Sequence, residues 1–437
     1  MFSLPIALAL ALIAIAIGLR LGAGTWLHPA PFFAGWWSLA ATLPLIVARE
    51  EPVSAGAMLW VLAATVAVAL GAIAGNRGLV THRLAKPPEV RQLEVTLLAW
   101  PMVVAIVLGM LSSVVFAALS GVSLVDIRDI QSLVVVSNRL YVSRVADIAN
   151  PVAPPRLSQA LLPFVFLAPA LGGMVFVLKR DLKWKIVAAS SILPAMAVTV
   201  LQTTKAAVLF SATLWIASYF TLRLRFGMLK VVTRGHLIFA AIVGAAGMAL
   251  FFATSIARMG STDASLATLV RVKLITAAFG HMSVFSHWLS DYWSQSFDPT
   301  LGTYVLAGPL ELLGFEQRKV GIFENVVELI AGETSNIYTG FRPLIEDFTM
   351  PGAIAVLGAL GLAAGAAYRA VGRSKWSAIP VLVGAYMTIL WTPLTWLWVY
   401  NSLTATLLAV VVIVFVVRLW RGTLRYNPRV RTSAAGS

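Results

Sequence analysis

Cysteine is missing from all 437 residues, which excludes disulfides, thiolate metal sites and cysteine nucleophiles. Histidine is scarce: five residues, with no HxH or HExxH spacing, leave a structural zinc site without a ligand set. Charge is also thin, at 12% of the chain against roughly 25% in soluble proteins. There is no GxxxxGK[ST] phosphate loop and no dinucleotide fingerprint in a strand–helix setting. What fills the chain is apolar: 59% of residues are hydrophobic and the mean hydropathy is +0.87. No water-soluble core could hide so much apolar surface. This excludes a cytosolic enzyme, a disordered chain and a secreted disulfide scaffold, and leaves a polytopic membrane protein. The net charge of +15 would suggest nucleic acid in a soluble protein. Here it reads as topology, and no nucleic-acid partner is expected.

Apolar runs of the length that crosses about 30 Å of hydrocarbon occur at Ser3–Leu19, Phe32–Ala48, Val53–Gly75, Val95–Ser120, Ala160–Leu178, Ile186–Gln202, Ala206–Leu222, Leu237–Thr254, Ala353–Ala370, Ser377–Trp398 and Leu403–Val417. These predict an all-α bundle of about eleven transmembrane helices, with 10–14 compatible, in one transmembrane domain over residues 1–437. Ser3–Leu19 lacks a basic n-region and a clear cleavage site, so it reads as a first span rather than a signal peptide. With the C-terminus inside, the cytoplasmic segments collect 21 of the 33 Lys and Arg but three of the 18 acids. An N-out, C-in chain thus obeys the positive-inside rule.

Two external segments remain, residues 121–158 and 255–351, and the second holds ten of the eighteen acids. Loops this long between membrane helices usually carry function. Within the second, Ser265–Phe279 and His281–Tyr292 read as helices that lie along the membrane surface or re-enter it. Cations flank span ends on this face: Lys205 in a short turn, Arg258 just after a span, and Arg342 shortly before one. The positive-inside rule disfavours them there. They read either as snorkelling side chains on lipid phosphates or as ligands for a phosphate or pyrophosphate headgroup.

Arg342 and Glu346 share a face if their stretch is helical, and can pair. That pair reads as a surface salt bridge, or Glu346 or Asp347 as a general base for a sugar hydroxyl. His281 and His287 are the alternative bases, or helix caps and interface residues. Aromatic residues interleave with the polar ones: Phe285, Trp288, Tyr292, Trp293, Phe297, Tyr304, Phe315, Phe323, Tyr338 and Phe341. They suit the apolar faces of sugar rings, and equally suit interfacial anchoring. No span has an ionisable residue clearly at mid-membrane, where coupled transporters usually keep one.

The stretch Ser335-Asn336-Ile337-Tyr338-Thr339-Gly340-Phe341-Arg342-Pro343-Leu344-Ile345-Glu346-Asp347-Phe348-Thr349-Met350-Pro351-Gly352 resembles the Asn-x-Tyr-Thr…Asp-Phe-Gly…Gly element of Wzy-type O-antigen and exopolysaccharide polymerases. Gln202-Thr203-Thr204-Lys205-Ala206-Ala207 is similar to that family's Thr-Arg-Ala element, and Ser255–Gly260 to its span-terminal Arg-x-Gly. Lys205 stands where the family has arginine, and Thr349 where it has glycine. The resemblance covers the topology and about residues 200–360; the N-terminal half matches in hydropathy alone.

The resemblance implies a helical bundle of the lipid-dependent glycosyltransferase (GT-C-like) type in the bacterial inner membrane. Such an enzyme moves a glycan from undecaprenyl pyrophosphate to the non-reducing end of another lipid-linked repeat unit, on the periplasmic face. It uses no cofactor, metal or nucleotide. Donor and acceptor are both undecaprenyl-pyrophosphate oligosaccharides, and membrane lipids and a chain-length regulator are the expected partners. In this picture Arg258, Lys205 and Arg342, assisted by Arg271, hold the pyrophosphate. Asp347, Glu346 or His281 is the base, and Tyr338, Asn336 and Trp288 contact sugars. The rival readings are an O-antigen ligase, which passes the same glycan to lipid A core, and a lipid-linked oligosaccharide flippase or exporter.

Overall fold

A computed structural model of the chain describes residues 4–79, 92–121, 129–145, 155–202, 204–229, 247, 249, 251–255, 266–294, 298–315, 323, 325–329, 332 and 334–426. The first half consists of α1 (Leu4–Ala23), α2 (Pro29–Val47), α3 (Ala55–Asn76), α4 (Gln92–Leu119), α5 (Ile130–Val145), α6 (Arg156–Leu178), α7 (Leu182–Ser190), α8 (Leu193–Gln202) and α9 (Lys205–Arg225). Then come α10 (Leu266–Phe279), α11 (His281–Ser294) and α12 (Ala307–Leu312). A short antiparallel pair, β1 (Val327–Glu328) and β2 (Thr334–Ser335), sets Val327 against Ser335. Finally α13 (Phe341–Gly372), α14 (Ile379–Trp391) and α15 (Asn401–Tyr426) return through the bundle.

Among the described residues, nine helical segments are long and apolar enough to cross a membrane, α7 and α8 counting as one, and Trp376–Trp391 is a shorter tenth. The chain is therefore an all-α, membrane-embedded protein. Of the expected span Leu237–Thr254, only residues 247, 249 and 251–254 are described, and they are helical.

Three expected spans come out differently, and proline accounts for much of each. Ile186–Gln202 is two helices, with Pro194 in the first turn of the second, where its missing N–H does no harm. The break at Ser191 packs on bare backbone, since a Cβ on Gly172 would lie 2.1 Å from Ser191 Oγ. Ser377–Trp398 stops at Trp391: Thr392 keeps helical backbone angles, but Pro393 has no N–H for the Ile389 carbonyl, which the Thr392 hydroxyl bonds instead. Ala353–Ala370 is the far part of the longer α13, which is kinked at Thr349 (φ 61°, ψ 175°).

That kink positions the site. Pro351 has no N–H for the Asp347 carbonyl, and the turn at Thr349 frees the Glu346 carbonyl as well. Loop backbone satisfies both: Thr300 N–H donates to Glu346 O at 3.2 Å and Leu301 N–H to Asp347 O at 3.0 Å. Below the kink, α13 runs parallel to α3 in the tightest contact of the bundle. Gly71-x-x-x-Gly75 faces Gly358 and Leu362, and Gly361-x-x-x-Gly365 faces Val68 and Ala72. A Cβ on Gly71 would sit 2.1 Å from the Gly358 carbonyl, and one on Gly365 2.1 Å from that of Ala72. Small residues let membrane helices approach this closely, and packing then holds them.

The parallel pairing puts the starts of α3 and α13 at one end of the bundle. α14 ends there too: Gly340 N–H donates to Thr392 O at 2.6 Å, and the Trp37 indole of α2 to Thr392 Oγ1 at 3.0 Å. Phe210 of α9 stacks on Trp391 at 3.7 Å, so α9 also starts at this end. At the opposite end the Arg225 guanidinium bonds the Ser374 carbonyl and lies 4.5 Å over Trp376.

Candidate functional site

The first turns of α13 carry the site. Arg342 and Glu346 pair as their spacing predicts, with Nε donating to Oε1 at 2.8 Å and both side chains 8% exposed. This is a buried pair, not a solvated surface bridge. Three rings surround the guanidinium: its carbon lies 3.7 Å from the centroid of Phe323, 4.0 Å from Tyr338 and 5.6 Å from Trp288. A guanidinium is weakly hydrated and stacks on aromatic faces, so this box suits arginine and would suit lysine less well. The box is itself braced: Tyr338 Oη donates to Asn325 O at 2.8 Å, and Tyr304 packs on Phe323 at 5.5 Å. Behind it Trp37 stacks on Phe341 at 4.6 Å, and Phe285 on Trp288 at 5.8 Å.

Arg342 Nη1 is buried and has no hydrogen-bond partner among the described residues. An unfilled donor on a buried cation is costly, about 1–3 kcal/mol or more, and it marks a place where an oxygen acceptor would be held. The Trp288 indole N–H faces the Glu346 carboxylate from beyond strict hydrogen-bond geometry. Burial raises the Tyr338 phenol above its usual pKa, with Arg342 opposing, and raises Tyr304 in the same way, reinforced by Glu346. Both phenols are therefore neutral hydrogen-bond donors at pH 7.

The other two carboxylate and imidazole candidates have different surroundings. Asp347 is fully buried, with its oxygens occupied. Oδ1 accepts from the Thr300 hydroxyl and from Tyr304 N–H at 3.1 Å, and Oδ2 from Val305 N–H at 2.6 Å. It is the anchor of the 298–306 turn, which in turn seats Tyr304 against Phe323. His281 is 3% exposed, and its Nε2 lies 3.0 Å from the Ala40 carbonyl, which can only accept, so the proton is on Nε2. Burial pushes its pKa down to about 4. His281 ties α11 to α2, two helical turns from Trp288. His287 is exposed.

The cations divide as well. Lys205 Nζ donates to Ser255 Oγ at 2.8 Å and lies 3.4 Å over the Phe251 ring. Lys205 and Ser255, one residue from each of two elements of the resemblance, thus meet. Arg258 itself lies outside the described residues. Arg271 is exposed on α10, and no described contact brings it to Arg342. Asn336 is exposed, and its Nδ2 donates to Phe323 O at 3.4 Å, so it braces the box from outside.

Sequence reasoning missed the closest ring, Phe323, as a site residue, although it stood in the aromatic run. It also missed the donors at Thr300, Tyr304 and Val305. Two of these are backbone N–H groups, which leave no mark in a sequence. Comparison of the chain with protein-family models, with curated proteins and with solved structures finds no match.

Proposed function

We propose that the chain is a membrane-embedded glycosyltransferase that polymerises lipid-linked oligosaccharide repeat units. The glycan passes from undecaprenyl pyrophosphate to the non-reducing end of another lipid-linked unit. The observation that carries this reading is the buried Arg342, boxed by Phe323, Tyr338 and Trp288, with an unfilled donor beside a buried carboxylate. A leaving pyrophosphate needs a fixed cation, an acceptor hydroxyl needs a base, and sugar rings need apolar faces. Arg342 and Glu346 supply the first two within one turn of α13, and the half-buried Phe323 and Tyr304 beside them offer ring faces for the third.

In this reading Arg342 neutralises the charge developing on the pyrophosphate, with Lys205 and Arg258 as further cations. Glu346 is the base, because Asp347 is spent on the loop and His281 on Ala40. Two further observations support the family assignment. Lys205 and Ser255 join the two upstream elements. Thr349, standing where the family has glycine, adopts a backbone conformation that is essentially a glycine one. The bundle is then of the GT-C-like type in the bacterial inner membrane, N-terminus out and C-terminus in, with the site on the periplasmic face.

The test is the glycan profile of a strain lacking this chain. A polymerase defect leaves a single repeat unit on lipid A core, restored to long chains by the wild-type chain but not by Arg342→Ala or Glu346→Gln. Accumulation of long lipid-linked polymer instead would make the chain a ligase. Full restoration by both variants would remove the site.

A further inference from the structure

Arg342 meets Glu346 through one nitrogen. Guanidinium–carboxylate pairs commonly form a fork of two parallel N–H···O bonds, but here Nε alone reaches Oε1. Nη1, buried with it, has no acceptor among the described residues. Phe323 tempers the charge with its ring face alone, and the Tyr338 phenol oxygen faces the guanidinium from beyond strict hydrogen-bond geometry. The cation is therefore half-used: one donor restrains a carboxylate and another is kept dry and empty. A phosphate oxygen arriving at Nη1 carries more charge than Glu346, and in a site this dry the stronger anion wins the guanidinium.

We propose that the Arg342–Glu346 pair is a stored base, opened by the pyrophosphate group of the donor. Phosphate draws the guanidinium onto itself, Nε leaves Oε1, and Glu346 is released beside the acceptor sugar. The transfer step rests on the glycosyltransferase reading above; the switch itself needs only a pyrophosphate ligand. In that step the acceptor hydroxyl oxygen bonds to the anomeric carbon, and the bond from that carbon to the pyrophosphate oxygen breaks. The bonding pair leaves on the phosphate, which Arg342 holds. The hydroxyl proton goes to the Glu346 carboxylate and from there to water. Donor must then bind before acceptor, because the base does not exist until the donor is seated.

Calorimetric titration of the full chain in nanodiscs tests this, with farnesyl pyrophosphate, inorganic pyrophosphate and farnesol as probes. Glu346→Gln should bind farnesyl pyrophosphate about tenfold more tightly than wild type, within the range typical of coupled sites, because glutamine does not compete for the charge. Arg342→Ala should bind it at least about tenfold more weakly. The double variant should match Arg342→Ala, since Glu346 acts through Arg342. The same ordering with inorganic pyrophosphate assigns recognition to the phosphates alone; ordering confined to farnesyl pyrophosphate adds the lipid. Tightening that farnesol reproduces, or no tightening with either pyrophosphate, overturns the switch.

Wild-type protein offers a second test that needs no variant to fold. Pyrophosphate should speed modification of Glu346 by dicyclohexylcarbodiimide severalfold, read by peptide mass spectrometry. Unchanged or slowed labelling contradicts release. If the binding order holds but no glycan is transferred, the switch stands and the polymerase reading fails. If transfer occurs without tightening in Glu346→Gln, the reading stands and the switch fails.

Discussion

The two halves of α13 bury themselves by opposite means. Below Thr349, residues 350–372 present small side chains to α3 and are held by backbone-to-backbone approach, with Gly71, Gly75, Gly361 and Gly365 at the contact. Above it, residues 341–348 bury an arginine, a glutamate and an aspartate, and are held by directed bonds and stacked rings. The first is a packing solution: tolerant of pH and intolerant of volume. The second is a polar network, tolerant of small shape changes and intolerant of losing a partner. A rigid lower half holding a polar upper half still is what the proposed transfer site would need.

The largest effect should come from the lower half. Gly71→Leu forces a side chain into the Gly358 carbonyl, an overpacking with no room to relax, and should destabilise by about 3 kcal/mol or more. Loss of monodisperse protein, with no residual activity, is the expected readout. Recovery of a stable, active variant would break the parallel α3–α13 pairing. In the upper half, Asp347→Ala strips three donors of their acceptor and should lose about 2–4 kcal/mol. The amides of Tyr304 and Val305 should lose hydrogen-exchange protection while the lower half of α13 keeps its own. Protection unchanged at 304–305 would remove Asp347 as the anchor.

Neither half of α13 sets the pH response, which should come from buried histidines packed outside it. His281 has a folded pKa of about 4 against an ordinary value of 6.5, so the unfolded chain binds the proton first. Stability is then complete above pH 6.5 and declines as pH falls from there towards 4. Between pH 7.5 and 5 the loss should be about 2 kcal/mol. Thermal unfolding of His281→Gln should lose that share of the slope and keep a similar share from His28, whose pKa burial also lowers to about 4; an unchanged slope would remove His281 as a source. The smallest effect should be a gain. Thr349→Gly relieves a backbone conformation that disfavours any side chain and should stabilise by about 1 kcal/mol, read as a raised midpoint with activity kept.

The difference between the halves also explains what could be read from the chain alone. Helices follow from apolar runs, so most of the described spans lie where the runs predict, as do α10 and α11 in the large loop. The Arg342–Glu346 pair follows from a spacing of four. Both glycine motifs were visible in principle, but which helix each would meet was not, since a GxxxG pattern specifies a face and not a partner. Asp347 was legible as a carboxylate at a span end but not as an anchor, because its partners lie more than forty residues upstream and two are backbone groups. The conformation of Thr349 was signalled only by the glycine that the resembled element carries at that place, since threonine itself disfavours it.

The central claim is that this bundle transfers glycan from a polyprenyl pyrophosphate at Arg342. The most direct measurement is purified full-length protein incubated with an undecaprenyl-pyrophosphate oligosaccharide and a chelator, without nucleotide, and products read by mass spectrometry. The account predicts a ladder spaced by one repeat unit, with free undecaprenyl pyrophosphate released, and no ladder from Arg342→Ala. No ladder from the wild-type chain with its native repeat unit, or an undiminished one from the variant, would contradict it.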